Sequence, residues 1–541
     1  MKLALASIFT LGLLFAFLLA VIAGIFYFLG IVEIWFLITF TGVLFFLQWL
    51  LSPYLSDLVF QWLYKLKWIG IEGIAKRDKG LARFIEETCK KNRIKVPKIG
   101  FINDDNPQAF CYGSAAFNAR LVFTEGIFTY LDKEERKAVF AHELGHIVHR
   151  DFIIMSLAAF LLSLLYHFSQ VLLRARGRKK GGIVILGIIS YVFYWIGTYI
   201  LLFLSRIREY FADEFSAKAT SPDSLARALI KVAYGIIAKP EAKSQLELMK
   251  GTRTLGIMDF SAAKGIGLAY ITSLKLKSWK PLQKIFLFDL KNPWAFVYEL
   301  NSSHPLTAKR IRRLSKLGKV SAFDFEAIEK YPVDLKKLYA NFFRDIFFLF
   351  LPLLFFLGFS ISAILLFLKL VVLPIPLSFI VCLFFVGLGL SVMAKTLYRY
   401  PEKSLKETTI FELMEDVYAS PIRGKWVKLK GKIIGRGIPG LILSEDMMFQ
   451  DRTGLVYLNY EGLIPFFGNL VFALFKLDKL VGKEAEIEGW FLRGLSHRIE
   501  LKEVRCEGKR IKSWVKLWGM LAGLMLILIG FVLLIIFGIS F

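Results

Sequence analysis

Ala141-His142-Glu143-Leu144-Gly145-His146 stands in a helical pattern that opens at Asp132. Lys133-Glu134-Glu135-Arg136 form a charged first turn, and Val139, Phe140, Leu144, Ile147 and Val148 supply the apolar positions. Asp132 suits an N-cap, and the acidic first turn suits the helix dipole. His142 and His146 fall one turn apart, about 6 Å, on one face, so two imidazoles can reach a single Zn2+ at about 2 Å each. Glu143 adjoins the first of them, where it can take a proton from a water activated by the metal. The chain has six histidines, and the clustering of His142, His146 and His149 argues against a surface helix that carries histidines by chance. His149 lies two turns from His142, about 10 Å, too far to complete the same site. A metzincin would need glycine at position 149 and histidine at position 152, and His149 and Phe152 stand there instead.

The third ligand must come from elsewhere. Arg208-Glu209-Tyr210-Phe211-Ala212-Asp213 continues as a helix out of an apolar run, with Glu209 and Asp213 on one face. Ala212, Ser216 and Ala217 are small enough for close helix packing. Glu209 as third ligand, with Asp213 behind it orienting a ligand histidine, would complete the site. Taken alone, the same stretch reads as a juxtamembrane helix pairing with Arg206 and Arg208.

Of 541 residues 56% are apolar or aromatic and 21% charged, which excludes a disordered chain and points to a membrane protein. Cys89, Cys111, Cys382 and Cys506 form no CxxC pair and give no sign of a disulfide framework. Uncharged runs cover 3–32, 34–56, 152–173, 181–205, 346–368, 370–394 and 517–541. Each is near the length of about 20 apolar residues that spans a bilayer, giving seven candidate spans. The net charge of +26 reads as basic residues kept on the cytoplasmic side rather than as nucleic-acid binding. The stretches 57–151, 206–345 and 395–516 are rich in Lys and Arg, which places them in the cytoplasm. His142 precedes the third run and Glu209 follows the fourth, so these two spans form a hairpin, with the zinc helix running into the first of them. Arg174, Arg176, Arg178, Lys179 and Lys180 then lie on the far side, against the charge rule.

His142-Glu143-Leu144-Gly145-His146 before one span and Arg208-Glu209 with Ala212-Asp213 after the next resemble the HtpX family of membrane zinc endopeptidases, relatives of the type I CAAX prenyl proteases. Asn106-Pro107-Gln108-Ala109-Phe110, Thr124-Glu125-Gly126 and Ser303-His304-Pro305-Leu306-Thr307 with Arg310 also match, so the resemblance covers roughly residues 1–320. Where the family often has Asn-Ala-Phe-Ala, this chain has Gln108-Ala109-Phe110-Cys111. The resemblance implies a zincin-like (gluzincin) domain in which an edge strand beside the metal, here Gln108, Ala109 and Phe110, pairs with an extended substrate. It also implies misfolded or damaged membrane proteins as substrates, with a site-specific processing protease as the alternative. The residues themselves suggest short strands at 98–102, 109–112 and 120–123. His304, with Arg310 beside it, is the candidate donor to the oxyanion, and Asn301-Ser302-Ser303 the expected cap of a following helix.

From 425 the pattern changes to strand alternation, with Val427, Leu429 and Ile433 set between lysines. Strands are expected to 433, at 447–450, 455–460, 483–491 and 498–504, with a helix after Pro465 and a turn at Asp451-Arg452-Thr453-Gly454. Five strands with a helix after the third is the order of an OB-fold. The apolar stretch Phe466 to Phe475 suggests a barrel lying on the membrane. Gly435-Arg436-Gly437-Ile438-Pro439-Gly440 has dinucleotide-loop spacing, but Pro439 marks a hairpin.

The expected fold is thus an α+β polytopic membrane protein: a helical transmembrane bundle, a zincin-like catalytic domain and a small C-terminal OB-like β-barrel. Its parts are an N-terminal hairpin (1–56), a metalloprotease domain (57–345) with a hairpin at 152–205, a second hairpin (346–394), the module (395–516) and a last helix (517–541). One Zn2+ per chain is expected on His142, His146 and Glu209, with Glu143 as the base and Asp213 behind a ligand. The expected partners are polypeptide substrates and the lipid bilayer, without nucleic acid. The expected location is the cell membrane, with the active site facing the cytoplasm. A zinc-binding membrane scaffold acting through the C-terminal module is the competing class, and Glu143, which a scaffold does not need, separates the two.

Overall fold

The computed structural model describes residues 34–174, 180–238, 280–321, 324–368, 377–436, 445–494 and 497–538, with scattered positions in 10–25 and 266–274. Most of the first apolar run, the basic positions 175–179 and the second half of the glycine-rich hairpin at 437–444 lie outside the described residues. Two compact units divide the chain. One runs to residue 240 and takes in 244–267 and 296–327, and the other holds 241–243, 268–295 and 328–541. Five helices among the described residues are long and apolar enough to cross a membrane, so the protein is a multi-pass membrane protein.

The first unit holds α1 (Ile34–Tyr64), which covers the second apolar run. It also holds a four-stranded sheet of order β1-β2-β4-β3, made of β1 (Lys67–Trp68), β2 (Lys98–Ile102), β3 (Ala109–Tyr112) and β4 (Arg120–Thr124). The three expected strands are present, β4 one residue longer. β2 and β4 run parallel and β3 antiparallel to β4, which leaves β3 at the sheet edge. Asp57 of α1 braces that edge: it accepts from Tyr112 OH at 2.8 Å and Arg120 Nε at 3.1 Å. Phe60 packs 5.3 Å from both Phe110 and Tyr112.

Next come α2 (Lys133–Val148), α3 (Asp151–Leu173), α4 (Lys180–Ala219) and, later, α5 (Thr307–Ser315). Asp132 caps α2 as expected, accepting from the N–H groups of Glu134 and Glu135, while the Glu135 side chain accepts from Asp132 N. Glu209 continues on the helix of the fourth run, since α4 is one element of 40 residues. The structure departs from expectation in two places. The helix of His142 and His146 does not run into the third run: it ends at Val148, and Arg150 adopts the left-handed φ of 58° before α3 begins. α5 begins at Thr307 without a side-chain cap, because Pro305 blocks an earlier start and Ser302 Oγ instead accepts from His304 N at 3.2 Å.

In the second unit the helices of the fifth, sixth and seventh runs are α6 (Leu335–Phe367), α7 (Leu377–Arg399) and α9 (Val515–Gly538). α7 and α9 pack through glycine: a Cβ on Gly389 would come 2.5 Å from Gly523 O, which only small residues permit. Between them, after the short β5 (Lys406–Glu407), lies a barrel of β6 (Lys425–Arg436), β7 (Met447–Gln450), β8 (Leu455–Asn459), β9 (Glu484–Arg493) and β10 (His497–Cys506), and β5 pairs in parallel with β6. β6 pairs β7, β7 pairs β8, β8 runs parallel to β10, β10 pairs β9, and β9 closes on β6. The helix α8 (Phe467–Val471) follows the third strand, which is the OB order. Val427, Leu429 and Ile433 point into its core, and Asp451 Oδ1 accepts from Gly454 N in the expected turn. The end of α7 is fastened to the barrel: Arg399 Nη2 donates to Glu500 at 2.6 Å, and Trp490 Nε1 donates to Pro401 O at 2.8 Å.

His497 of β10 is buried, and neither ring nitrogen has a partner among the described residues. Burial, with Arg493 adding to it, pushes its pKa from 6.5 down to about 3. The folded state thus favours the neutral ring. Its stabilising effect is whole above the free value of 6.5 and is lost as pH falls toward 3. Between pH 7.5 and 5 the parent is expected to lose about 2 kcal/mol more stability than His497→Gln. Thermal unfolding of both at the two pH values checks this, and parallel losses would contradict it.

Candidate metal centre

α2 and α4 cross where small residues let the backbones meet. A Cβ on Gly145 would sit 3.1 Å from Ala212 Cα, and Ser216 Oγ donates to Ala138 O at 2.6 Å. This crossing carries His142, His146 and Glu209 together, all in or near the core. His146 Nε2 lies 3.3 Å from His142 Nε2 and 3.4 Å from Glu209 Oε1, and His142 Nε2 lies 3.5 Å from Glu209 Oε2. A tetrahedral ion with bonds of about 2.0–2.1 Å keeps its ligand atoms about 3.4 Å apart. The three groups are therefore spaced as ligands of one ion, and form a cluster that can hold a metal.

Each histidine is oriented from behind. His142 Nδ1 lies 3.1 Å from Asp213 Oδ1, and His146 Nδ1 lies 2.6 Å from Asp151 Oδ2. Each carboxylate is held by an arginine. Arg310 donates from Nε to Asp213 Oδ2 at 2.9 Å and from Nη2 to Oδ1 at 2.6 Å. Arg208 donates to Asp151 and to His149 O. Asp213 thus lies behind the His142 ring. Arg310 was expected beside His304 on the oxyanion side, and the structure sets its guanidinium on Asp213, 3.6 Å from Glu209.

Asp151 and the part played by Arg208 escaped the sequence reading. On a straight helix a residue five places after His146 points about 140° away from it. The left-handed turn at Arg150 brings Asp151 back, and only an acid just after a helix break would have signalled it. His149 sits against Phe211 and Phe215, away from the cluster.

Glu143 is 1% exposed, and its Oε2 has no partner among the described residues. Burial pushes its pKa above the ordinary carboxylate value, against the pull of His142 and His146. His304 reaches the same site from the loop before α5, with Nε2 3.6 Å from Glu209 Oε1 and Nδ1 2.9 Å from Ser303 Oγ. Cys111 of β3 donates through Sγ to Glu143 O at 3.4 Å, so the edge strand lies against α2. Thr124 N donates to Gln108 O, and by antiparallel alternation the peptide groups of Ala109 and Cys111 face the unpaired edge. A metal cluster, a buried carboxylate next to it and an edge strand alongside make a metalloprotease-like active site.

Comparison with known proteins agrees. The profile described as peptidase family M48 matches residues 75–318. A protein of Thermoplasma acidophilum named protease HtpX homolog is 30% identical over 274 residues, 50% of this chain and 81% of that one. A protein of the same name from Methanothermobacter thermautotrophicus is 33% identical over 256 residues, 47% of this chain and 93% of that one. The crystal structure of S. mikatae Ste24p covers 57% of this chain and 63% of that one at 18% identity, with a TM-score of 0.32, too loose a likeness to carry an argument. The matched residues 75–318 contain the sheet edge, both ligand-bearing helices and the arginine that steadies them, and the chain belongs to peptidase family M48.

Proposed function

We propose that the protein is a membrane zinc endopeptidase, with one Zn2+ per chain on His142, His146 and Glu209. The spacing of 3.3–3.5 Å between the two imidazole nitrogens and from each to a Glu209 carboxylate oxygen carries the reading. Zinc bound there would supply Lewis-acid activation, bringing the pKa of a water at the ion to about 7. Glu143 would act as the base, taking a proton from the attacking water and passing it to the leaving amide nitrogen. Its buried setting, which lifts its pKa, suits a group that must hold a proton briefly and release it. His304, with Nδ1 2.9 Å from Ser303 Oγ, would offer an Nε2 proton to the oxyanion. Arg310 acts through Asp213, as a positioning residue. Substrate lies as an added strand along Gln108, Ala109 and Phe110, bound through the edge-facing backbone groups of Ala109 and Cys111.

Backbone pairing tolerates many sequences, which favours loosened membrane polypeptides as substrates and a role in quality control over cleavage at one defined site. Glu143 favours an enzyme over a scaffold, since holding a metal requires no buried base beside it. The distribution of Lys and Arg supports a cytoplasmic active site, with the protease domain at 57–345 and the barrel module at 395–516. Dialysis against a chelator should abolish cleavage of an unfolded polypeptide, and returned zinc should restore it. Cleavage that survives complete metal removal would contradict the proposal.

Asp151→Ala should weaken zinc binding about 10- to 100-fold, the usual cost of losing a group that orients a ligand histidine. Arg150→Gly should leave it unchanged, because glycine adopts the left-handed turn freely. Competition with a chromophoric chelator reads both, and an unaltered affinity in Asp151→Ala would remove that carboxylate from the site.

A further inference from the structure

Residues 462–475, between β8 and β9, carry no charge. One side of this segment belongs to the barrel: Phe472 and Ala473 are buried, and Phe472 stacks on Tyr460 with centroids 3.8 Å apart. The other side is bare. Leu463, Ile464, Phe466, Phe467 and Phe475 are 55%, 60%, 72%, 66% and 64% exposed. Apolar residues so grouped on a folded surface mark a contact with something apolar.

The backbone presents this face at a conformational cost. Phe466 has φ 63° and ψ −65°, and Phe467 N donates to Pro465 O at 2.8 Å, so Phe466 stands at the apex of a γ-turn of the rare, strained kind. A bulky side chain in that conformation is disfavoured, and here the turn pushes the ring outward.

The segment is also fixed in height. Trp514 N donates to Glu461 O at 2.8 Å, and Trp518 Nε1 donates to Gly462 O at 3.2 Å. Trp514 and Trp518 flank the start of α9, the C-terminal span, where tryptophan settles at the membrane–water boundary. The bare face is thus continuous with the lipid-facing surface of α9. The polar group within the segment turns inward: Asn469 accepts from Gly462 N at 2.6 Å and donates to Glu461 at 3.2 Å. Lys476 and Asp478 restore charge where the chain turns back to the barrel.

We propose that residues 463–475 are an interfacial membrane anchor, whose Ile464, Phe466, Phe467 and Phe475 side chains enter the acyl region of the bilayer beside α9. The barrel is then held on the membrane by three attachments, α7, α9 and this loop, and cannot swing about its two helical stems. The anchor does not depend on the peptidase reading.

The full-length protein in phosphatidylcholine–phosphatidylglycerol vesicles tests it. Nitroxide is attached at Phe466→Cys and, in a second protein, at Phe475→Cys. The four native cysteines are buried. Leu528→Cys, on the exposed side of α9, sets the hydrocarbon reference, and Glu507→Cys, in the exposed turn between β10 and β11 (Lys509–Lys512), the aqueous one. Both test positions are expected to show oxygen accessibility like Leu528→Cys and little access to a water-soluble nickel chelate. Nickel accessibility like Glu507→Cys at both would overturn the proposal. Shielding from both reagents would also overturn it, since another protein surface would then cover the face.

Discussion

Glu143→Gln is expected to keep zinc and to lose peptide hydrolysis by a factor on the order of 10³, within the range that a positioned general base contributes. The substitution preserves shape, so the core around α2, where Glu143 is 1% exposed, is not opened. It neutralises a carboxylate whose Oε2 is buried without a hydrogen-bond partner among the described residues, beside the ligand histidines. Zinc content, thermal unfolding and kcat/KM measured on one preparation separate the outcomes. Retained zinc with lost turnover assigns the proton transfer to Glu143. Full activity would remove the base from the mechanism, and loss of zinc would make Glu143 a structural support of the site. The same variant holds substrate without cutting it, and mass spectrometry of what it retains would identify the natural chains.

Glu209→Ala is expected to have the second large effect, loss of stoichiometric zinc together with all activity. Glu209 supplies the one carboxylate of the cluster, its oxygens 3.4 Å and 3.5 Å from the two histidine nitrogens. Without it, two imidazoles remain, and Arg310, 3.6 Å from Glu209, loses an acidic neighbour. Metal affinity rests on the number and charge of ligands, so the fall should exceed that of Asp151→Ala. Asp213→Ala provides the comparison on α4 itself: it leaves all three ligands and frees the His142 ring and the Arg310 guanidinium. A Glu209→Ala protein that binds zinc as tightly as the parent would show that Glu209 is not a ligand.

The metal site was legible because its parts are local. His142 and His146 share a helix face by spacing alone, Glu209 and Asp213 do likewise, and small Ala212 and Ser216 announced the crossing that joins them. The barrel was legible because Val427, Leu429 and Ile433 alternate with lysines along its first strand and its turn at Asp451 is chemically marked. The supports were not. Asp151 reaches His146 only through the left-handed break at Arg150, and Arg310 turns to Asp213 through a tertiary contact between residues 97 positions apart. Neither leaves a periodic trace. The bracing of the sheet edge by Asp57 escaped for the same reason, since the acid sits in a helix read only for its apolarity.

Zinc K-edge X-ray absorption on the purified full-length protein tests the central claim most directly. The account predicts one zinc per chain with two imidazole nitrogens at about 2.0–2.1 Å and low-Z oxygen ligands completing a tetrahedron. It also predicts that the two-imidazole signature is lost in His146→Ala. A protein without stoichiometric zinc, or a zinc shell containing sulfur or unchanged in His146→Ala, would contradict it.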